Sequence, residues 1–161
     1  MDKLSLEGKR ILIVDDEPDV LDSLEELLPM CVLTRAETFE GAEQLLKAQD
    51  FDMAILDIMG VDGYQLLDIA QQKKVTCVML TAHALSPDNI KKSCRGGACS
   101  YIPKEEMINI EDFLLDVLKA QDKGENPWIS WYSRLAKFCE EKFGPDWDKD
   151  EKEFWEKMTF H

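Results

Sequence analysis

A doubly wound α/β fold is predicted for this chain: a five-stranded parallel sheet covered by helices on both faces, followed by a helical extension. Three features predict it. Short apolar runs alternate with longer amphipathic segments through the first two thirds of the sequence. The runs are nearly continuous in apolar character rather than alternating, as strands buried on both faces must be. The segments between them repeat their apolar residues at helical spacing, and strict strand–helix alternation implies parallel pairing.

The elements follow in order. The first strand falls near 10–14, on Ile11-Leu12-Ile13-Val14. The helix near 17–29 carries Val20, Leu21, Leu24, Leu27 and Leu28 on one face, and Pro18 sits in its first turn, where a missing N–H costs nothing. A second strand is expected near 31–35. The helix at 38–48 presents Phe39, Ala42, Leu45 and Leu46, with Thr38 placed to cap it. Met53-Ala54-Ile55-Leu56 forms the third strand, near 52–57, and the third helix runs near 63–72. Cys77-Val78-Met79-Leu80 forms the fourth strand, near 75–80. Ser86 before Pro87 marks the start of a helix at 87–95. The fifth strand lies near 98–102 and the fifth helix near 110–121.

The composition changes at Gln121-Asp122-Lys123-Gly124-Glu125-Asn126-Pro127, which reads as a short linker. It separates a domain at 8–122 from a tryptophan-rich extension at 123–161. Trp128, Trp131, Tyr132, Leu135, Phe138, Cys139 and Phe143 share helical spacing, and Gly144-Pro145 stops that helix. Trp147, Phe154, Trp155 and Met158 suggest a second, shorter one. The extension is expected to pack on its own domain or across a homodimer, with docking of another protein as the alternative. Its balanced charge and the absence of a basic helix argue against nucleic-acid binding.

The net charge of −14 also argues against it, because nucleic-acid backbones are bound mainly through Lys and Arg. Five cysteines form no C-x-x-C pair, and Cys31 and Cys77 read as buried free thiols of a reducing compartment. The N-terminal residues lack the apolar stretch of a signal peptide, and no run approaches membrane-spanning length. A cytoplasmic protein without membrane contact is expected. Lys91, Lys92 and Arg95 read as a solvated helix face.

The strands end in chemistry. Val14 is followed by Asp15-Asp16-Glu17, Leu56 by Asp57, Leu80 by Thr81, and Tyr101-Ile102 leads through Pro103 to Lys104. Open parallel sheets place their ligand sites at these carboxyl ends. Three aspartates brought together repel unless a hard cation neutralises them. Mg²⁺ takes oxygen ligands and shares phosphate oxygens. One carboxylate can then attack phosphorus in a labile donor, while an ammonium and a hydroxyl stabilise the transferred group. An acidic loop after the first strand is unsuited to cradling a flavin phosphate, which needs amides and hydroxyls.

Taken together, residues 10–121 resemble the receiver domain of two-component response regulators. The resemblance is carried by Ile11–Val14 with Asp15-Asp16-Glu17-Pro18, Ile55-Leu56-Asp57-Ile58-Met59, Asp62-Gly63, Leu80-Thr81-Ala82, Gly97-Ala98 and Tyr101-Ile102-Pro103-Lys104. It implies a flavodoxin-like strand order, 2-1-3-4-5. It implies Asp57 as phosphoacceptor, and Mg²⁺ held by Asp15, Asp16, Asp57 and the Met59 carbonyl. Thr81 and Lys104 would contact the phosphoryl group, and Thr81 and Tyr101 would act as the switch pair. His83 matches a variable position at the site mouth. The implied partners are a sensor histidine kinase or phosphotransfer protein and a downstream protein target. Such a domain is not an enzyme in the usual sense, although it assists its own phosphotransfer and dephosphorylation.

Two departures from the family pattern stand out. Gly60-Val61 leads straight from Met59 to Asp62-Gly63, about two residues short, and Glu105 follows Lys104 where Pro is usual. The shortened loop supports an alternative, a pseudo-receiver that binds proteins without turning over phosphate. An aspartyl-phosphate hydrolase fits poorly, because its two aspartates stand two apart after the first strand, whereas Asp15 and Asp16 are adjacent.

Overall fold

A computed structural model describes residues 5–82, 86–145 and 147. Five strands, β1 (Arg10–Val14), β2 (Val32–Ala36), β3 (Met53–Leu56), β4 (Thr76–Thr81) and β5 (Ser100–Pro103), form one parallel sheet in the order β2-β1-β3-β4-β5. Helices α1 (Pro18–Leu27), α2 (Phe39–Ala48), α3 (Gly63–Gln72), α4 (Pro87–Arg95) and α5 (Ile110–Lys123) flank it, and α6 (Pro127–Phe143) follows. This is the predicted doubly wound, flavodoxin-like fold with a helical extension.

The central strands are apolar because they have no solvent face. Ile11, Leu12, Ile13, Met53, Ala54, Leu56, Cys77, Val78 and Met79 are fully buried. Register then sets the site. Val14 pairs with Leu56, and the Asp57 N–H donates to the Val14 carbonyl at 3.0 Å. Asp15 and Asp57 are therefore carried to the same sheet end. Thr81 pairs with Pro103, which brings Lys104 beside the fourth strand's hydroxyl.

The capping signals act as expected. Thr38 accepts from the Gly41 N–H at 3.0 Å, and Ser86 accepts from the Asn89 N–H at 3.1 Å. Such caps contribute about 1 kcal/mol each. Pro18 and Pro87 occupy the first turns of α1 and α4. Val20, Leu21, Leu24, Ala42 and Leu46 form the buried faces of α1 and α2.

Four local features differ from expectation. Lys104–Asn109 forms a 3-10 helix where no element was foreseen. Its six residues lack helical apolar periodicity, and none is buried. The stretch read as a linker is mostly helix end: α5 reaches Lys123, and Asn126 already caps α6 by accepting from the Trp128 N–H at 3.0 Å. Lys91 is 8% exposed rather than solvated, with Asp88 at 3.9 Å. None of the five cysteines, all among the described residues, forms a disulfide. Cys77 is buried, but Cys31 is only half-buried, because it lies ahead of β2 with its thiol directed at the Leu6 carbonyl.

The apolar face of α6 enters the same core as the sheet. Trp128, Trp131, Leu135 and Cys139 are buried at helical spacing against β5 and α5. The two indoles meet edge-to-face with centroids 5.0 Å apart. Tyr132 stacks on Trp147. Phe154, Trp155 and Met158, read as a second short helix, lie outside the described residues.

A carboxylate pocket at the carboxyl end of the sheet

Asp15 and Asp57 end adjacent strands and are 2% and 4% exposed, whereas Asp16 and Glu17 are exposed. One carboxylate oxygen from each of Asp15, Asp16 and Glu17 lies within 4.8 Å of the others. Asp15 Oδ1 accepts the Glu17 N–H at 2.9 Å, which turns the chain into α1. Asp57 lies outside that group of three but faces the same ammonium. Lys104 Nζ is 2.9 Å from Asp15 Oδ2, 3.6 Å from Glu17 Oε1 and 3.9 Å from Asp57 Oδ2.

Glu17 was not expected to face Lys104. The signal was present as the third acid of the run 15–17, but nothing in the sequence distinguishes a helix-start glutamate from one turned toward a lysine 87 positions away.

The contact between Lys104 and Asp15 is ionic rather than a well-aligned hydrogen bond. Neither Lys104 Nζ nor Asp15 Oδ2 has a partner in hydrogen-bond geometry, although both are buried. Burial pushes the Asp15 carboxyl up, with the Lys104 ammonium opposing. Asp57 is pushed up to about 6, first by burial and then by the neighbouring Asp15 charge. The Lys104 ammonium loses hydration on burial, yet Asp15, Asp57 and Glu17 hold its affinity for the proton above the ordinary value. The pocket carries more negative charge than one lysine neutralises.

The loop after β3 closes over these acids. Gly60 adopts φ +81°, and a Cβ there would stand 2.4 Å from Asp16 Oδ2. The left-handed backbone favours glycine, and a side chain there would push the Asp16 carboxylate aside. A Cβ on Gly63 would stand 2.0 Å from the Asp57 carbonyl, so the start of α3 is also pressed against the site. Within the shortened loop, the Ile58 carbonyl accepts the Gly63 N–H at 3.0 Å. The Met59 side chain is 53% exposed, beside the pocket rather than in it.

Thr81 is fully buried at the end of β4. Tyr101 is fully buried too, and its hydroxyl is hydrogen-bonded to the Ser86 backbone. Burial raises its phenol well above the ordinary range. The site residues expected from the sequence thus gather at one sheet end, with Tyr101 two strands away from Asp57. His83 lies outside the described residues.

A buried carboxylate oxygen met only by the Lys104 ammonium, an all-oxygen donor set and a glycine cradle fit a small hard cation such as Mg²⁺.

Comparison with known proteins agrees with this geometry. The family model described as the response regulator receiver domain matches residues 11–114. The chain is 36% identical over 113 residues to the two-component response regulator ARR18 of Arabidopsis thaliana, an alignment covering 64% of this chain and 18% of that protein. It is 32% identical over 130 residues to ARR12 of the same plant, covering 74% and 22%. The chain thus spans about a fifth of the length of these relatives. Among solved structures, it resembles a CheY-like response regulator receiver domain protein from Methanospirillum hungatei JF-1. The TM-score is 0.60 at 27% identity, covering 71% of this chain and 99% of that one.

Proposed function

Because the chain belongs to the response regulator receiver domain family, we propose that it accepts a phosphoryl group on Asp57 and signals through a protein–protein surface. Receiver domains interact with histidine kinases or phosphotransfer proteins, typically bind Mg²⁺ at an acidic pocket, and are generally not enzymes in the usual sense. The observation that carries the proposal is Lys104 set between the Asp15 and Asp57 carboxylates at the sheet end. Among the described residues, no helix is long and apolar enough to cross a membrane.

The residues divide the task as follows. Asp57 is the nucleophile: its carboxylate oxygen attacks phosphorus in a phosphohistidine of the kinase or phosphotransfer protein. The P–N bond breaks, and the imidazole keeps the electron pair and takes a proton from solvent. Asp57 must be ionised to attack, so a proton held up to about pH 6 has to leave first. Lys104 pairs with the incoming phosphoryl oxygens. Thr81 donates its hydroxyl to one of them, with Tyr101 as its partner in the switch. Asp15, Asp16, Asp57 and the Met59 carbonyl would hold Mg²⁺, which supplies neutralising charge for the crowded carboxylates and the phosphoryl oxygens. The output is a contact with a downstream protein.

The test is incubation with Mg²⁺ and acetyl phosphate followed by intact mass, with Asp57→Asn in parallel. A Mg²⁺-dependent gain of one phosphate that the variant lacks is expected. A folded protein that gains none would be a phosphate-independent binding module instead.

A further inference from the structure

We propose that α6 is a latch on the free edge of β5, and that phosphorylation of Asp57 loosens it. The inference rests on Asp57 being the phosphoacceptor.

The strand β5 is an edge of the sheet and pairs only with β4. Helix α6 covers this end of the sheet with two indole donors. Trp128 Nε1 donates to the Ala98 carbonyl just ahead of β5 at 2.9 Å, and Trp131 Nε1 donates to the Tyr101 carbonyl on β5 at 2.6 Å. Both indoles are buried, at 3% and 2% exposure. Further along the helix, Arg134 Nε donates to Asp116 on α5 at 2.7 Å, and Lys142 Nζ lies 3.0 Å from Glu105 on the 3-10 turn.

Two of these contacts bracket Lys104. Tyr101 precedes it on β5, and Glu105 follows it directly. The short segment from Tyr101 to Glu105 therefore has two attachments. Inward, Lys104 is drawn to Asp15, Glu17 and Asp57. Outward, Tyr101 and Glu105 are held by α6. A phosphoryl group on Asp57 adds negative charge on the side of the ammonium where it is now most distant. Lys104 re-pairs toward that charge, and the backbone on either side moves with it. The Trp131 bond is directional and weakens steeply when the carbonyl shifts. The exposed Lys142–Glu105 pair adds little energy but fixes the same segment. These contacts belong to the unphosphorylated arrangement, and that difference lets one end of the coupling read the other. Three residues, 124–126, separate α5 from α6, so the helix lifts from β5 while its start stays tethered.

All four tryptophans lie at or beyond position 128, so tryptophan emission reports the C-terminal segment alone. The experiment is hydrogen exchange by mass spectrometry on the full chain with Mg²⁺ and acetyl phosphate. It reads phosphate on the Asp57 peptide and exchange over 127–143 in one sample. Phosphorylation is expected to speed exchange over 127–143 by roughly 5-fold or more and to shift emission to the red, with no change in Asp57→Asn. Trp131→Phe keeps an aromatic ring and loses the donor. It is expected to exchange faster without phosphate and to take up more phosphate at equal donor concentration. Phosphate on Asp57 with unchanged or slower exchange overturns the latch and leaves the phosphoacceptor assignment standing. Equal phosphate uptake by Trp131→Phe and the natural chain also overturns it. No phosphate on Asp57 removes both.

Discussion

Lys104 Nζ sits 2.9 Å from Asp15 Oδ2 but 3.9 Å from Asp57 Oδ2, so the ammonium is seated on the acid of the first strand rather than that of the third. The Asp57 carboxylate is left buried with less compensation than its neighbour has. That asymmetry makes the pocket sensitive to any change in charge.

Removing the ammonium exposes the imbalance. Lys104→Met leaves Asp15 and Asp57 buried without a cation beside them. Stability without divalent metal at pH 7 should fall by about 2–4 kcal/mol, as when one partner of a buried pair is lost. Urea unfolding measures this. The deficit should shrink near pH 4, where the carboxyls take up protons, and a constant deficit across pH would refute the electrostatic account.

Asp57→Asn should have the opposite effect. The folded-state value of Asp57, about 6, lies above its unfolded value of 3.8. The folded state therefore binds the proton more tightly, and the stability this contributes is full below about pH 3.8 and lost as pH rises through about 6. Asparagine carries no charge to bury. Metal-free Asp57→Asn should thus be more stable than the natural chain at pH 7 by on the order of 2 kcal/mol, and the gain should vanish near pH 4. Thermal unfolding at the two pH values decides it. Added Mg²⁺ should narrow the gap at pH 7 by stabilising only the protein that keeps all its carboxylates.

Gly60→Ala tests the cradle. Its Cβ would press on the Asp16 carboxylate at 2.4 Å, in a backbone conformation with φ +81°. Strain should cost about 1–2 kcal/mol of stability. Displacing Asp16 should weaken Mg²⁺ binding by roughly ten-fold or more, read by calorimetric titration. Unchanged affinity would mean Asp16 does not hold the ion.

Trp128→Ala measures what the extension contributes. It removes a buried indole and its bond to the Ala98 carbonyl. Chemical denaturation should show a loss of about 3–5 kcal/mol in one cooperative transition, because α6 shares the core of the sheet. Trp128→Phe should cost about 1 kcal/mol, mostly the unsatisfied carbonyl. Two separate transitions would mean that α6 folds apart from the sheet.

The sequence by itself determined the alternation of strands and helices, the strand ends that bear Asp15, Asp57, Thr81 and Lys104, and the caps at Thr38 and Ser86. Those features are written in short-range patterns: apolar runs that must be buried, a helical repeat, a hydroxyl before a first turn. Helices α3 and α4 begin and end at the expected bounds, 63–72 and 87–95, the latter opened by its Ser86-Pro87 start. Only the tertiary structure decided which acid the lysine prefers, that Glu17 turns toward it, that Gly60 rests on Asp16, and that two indoles cover the edge of β5. These depend on strand register and on helices meeting across many intervening residues. The aromatic spacing of 128–143 marked a buried helix face but could not say what it was buried against, because periodicity records a face and not its partner.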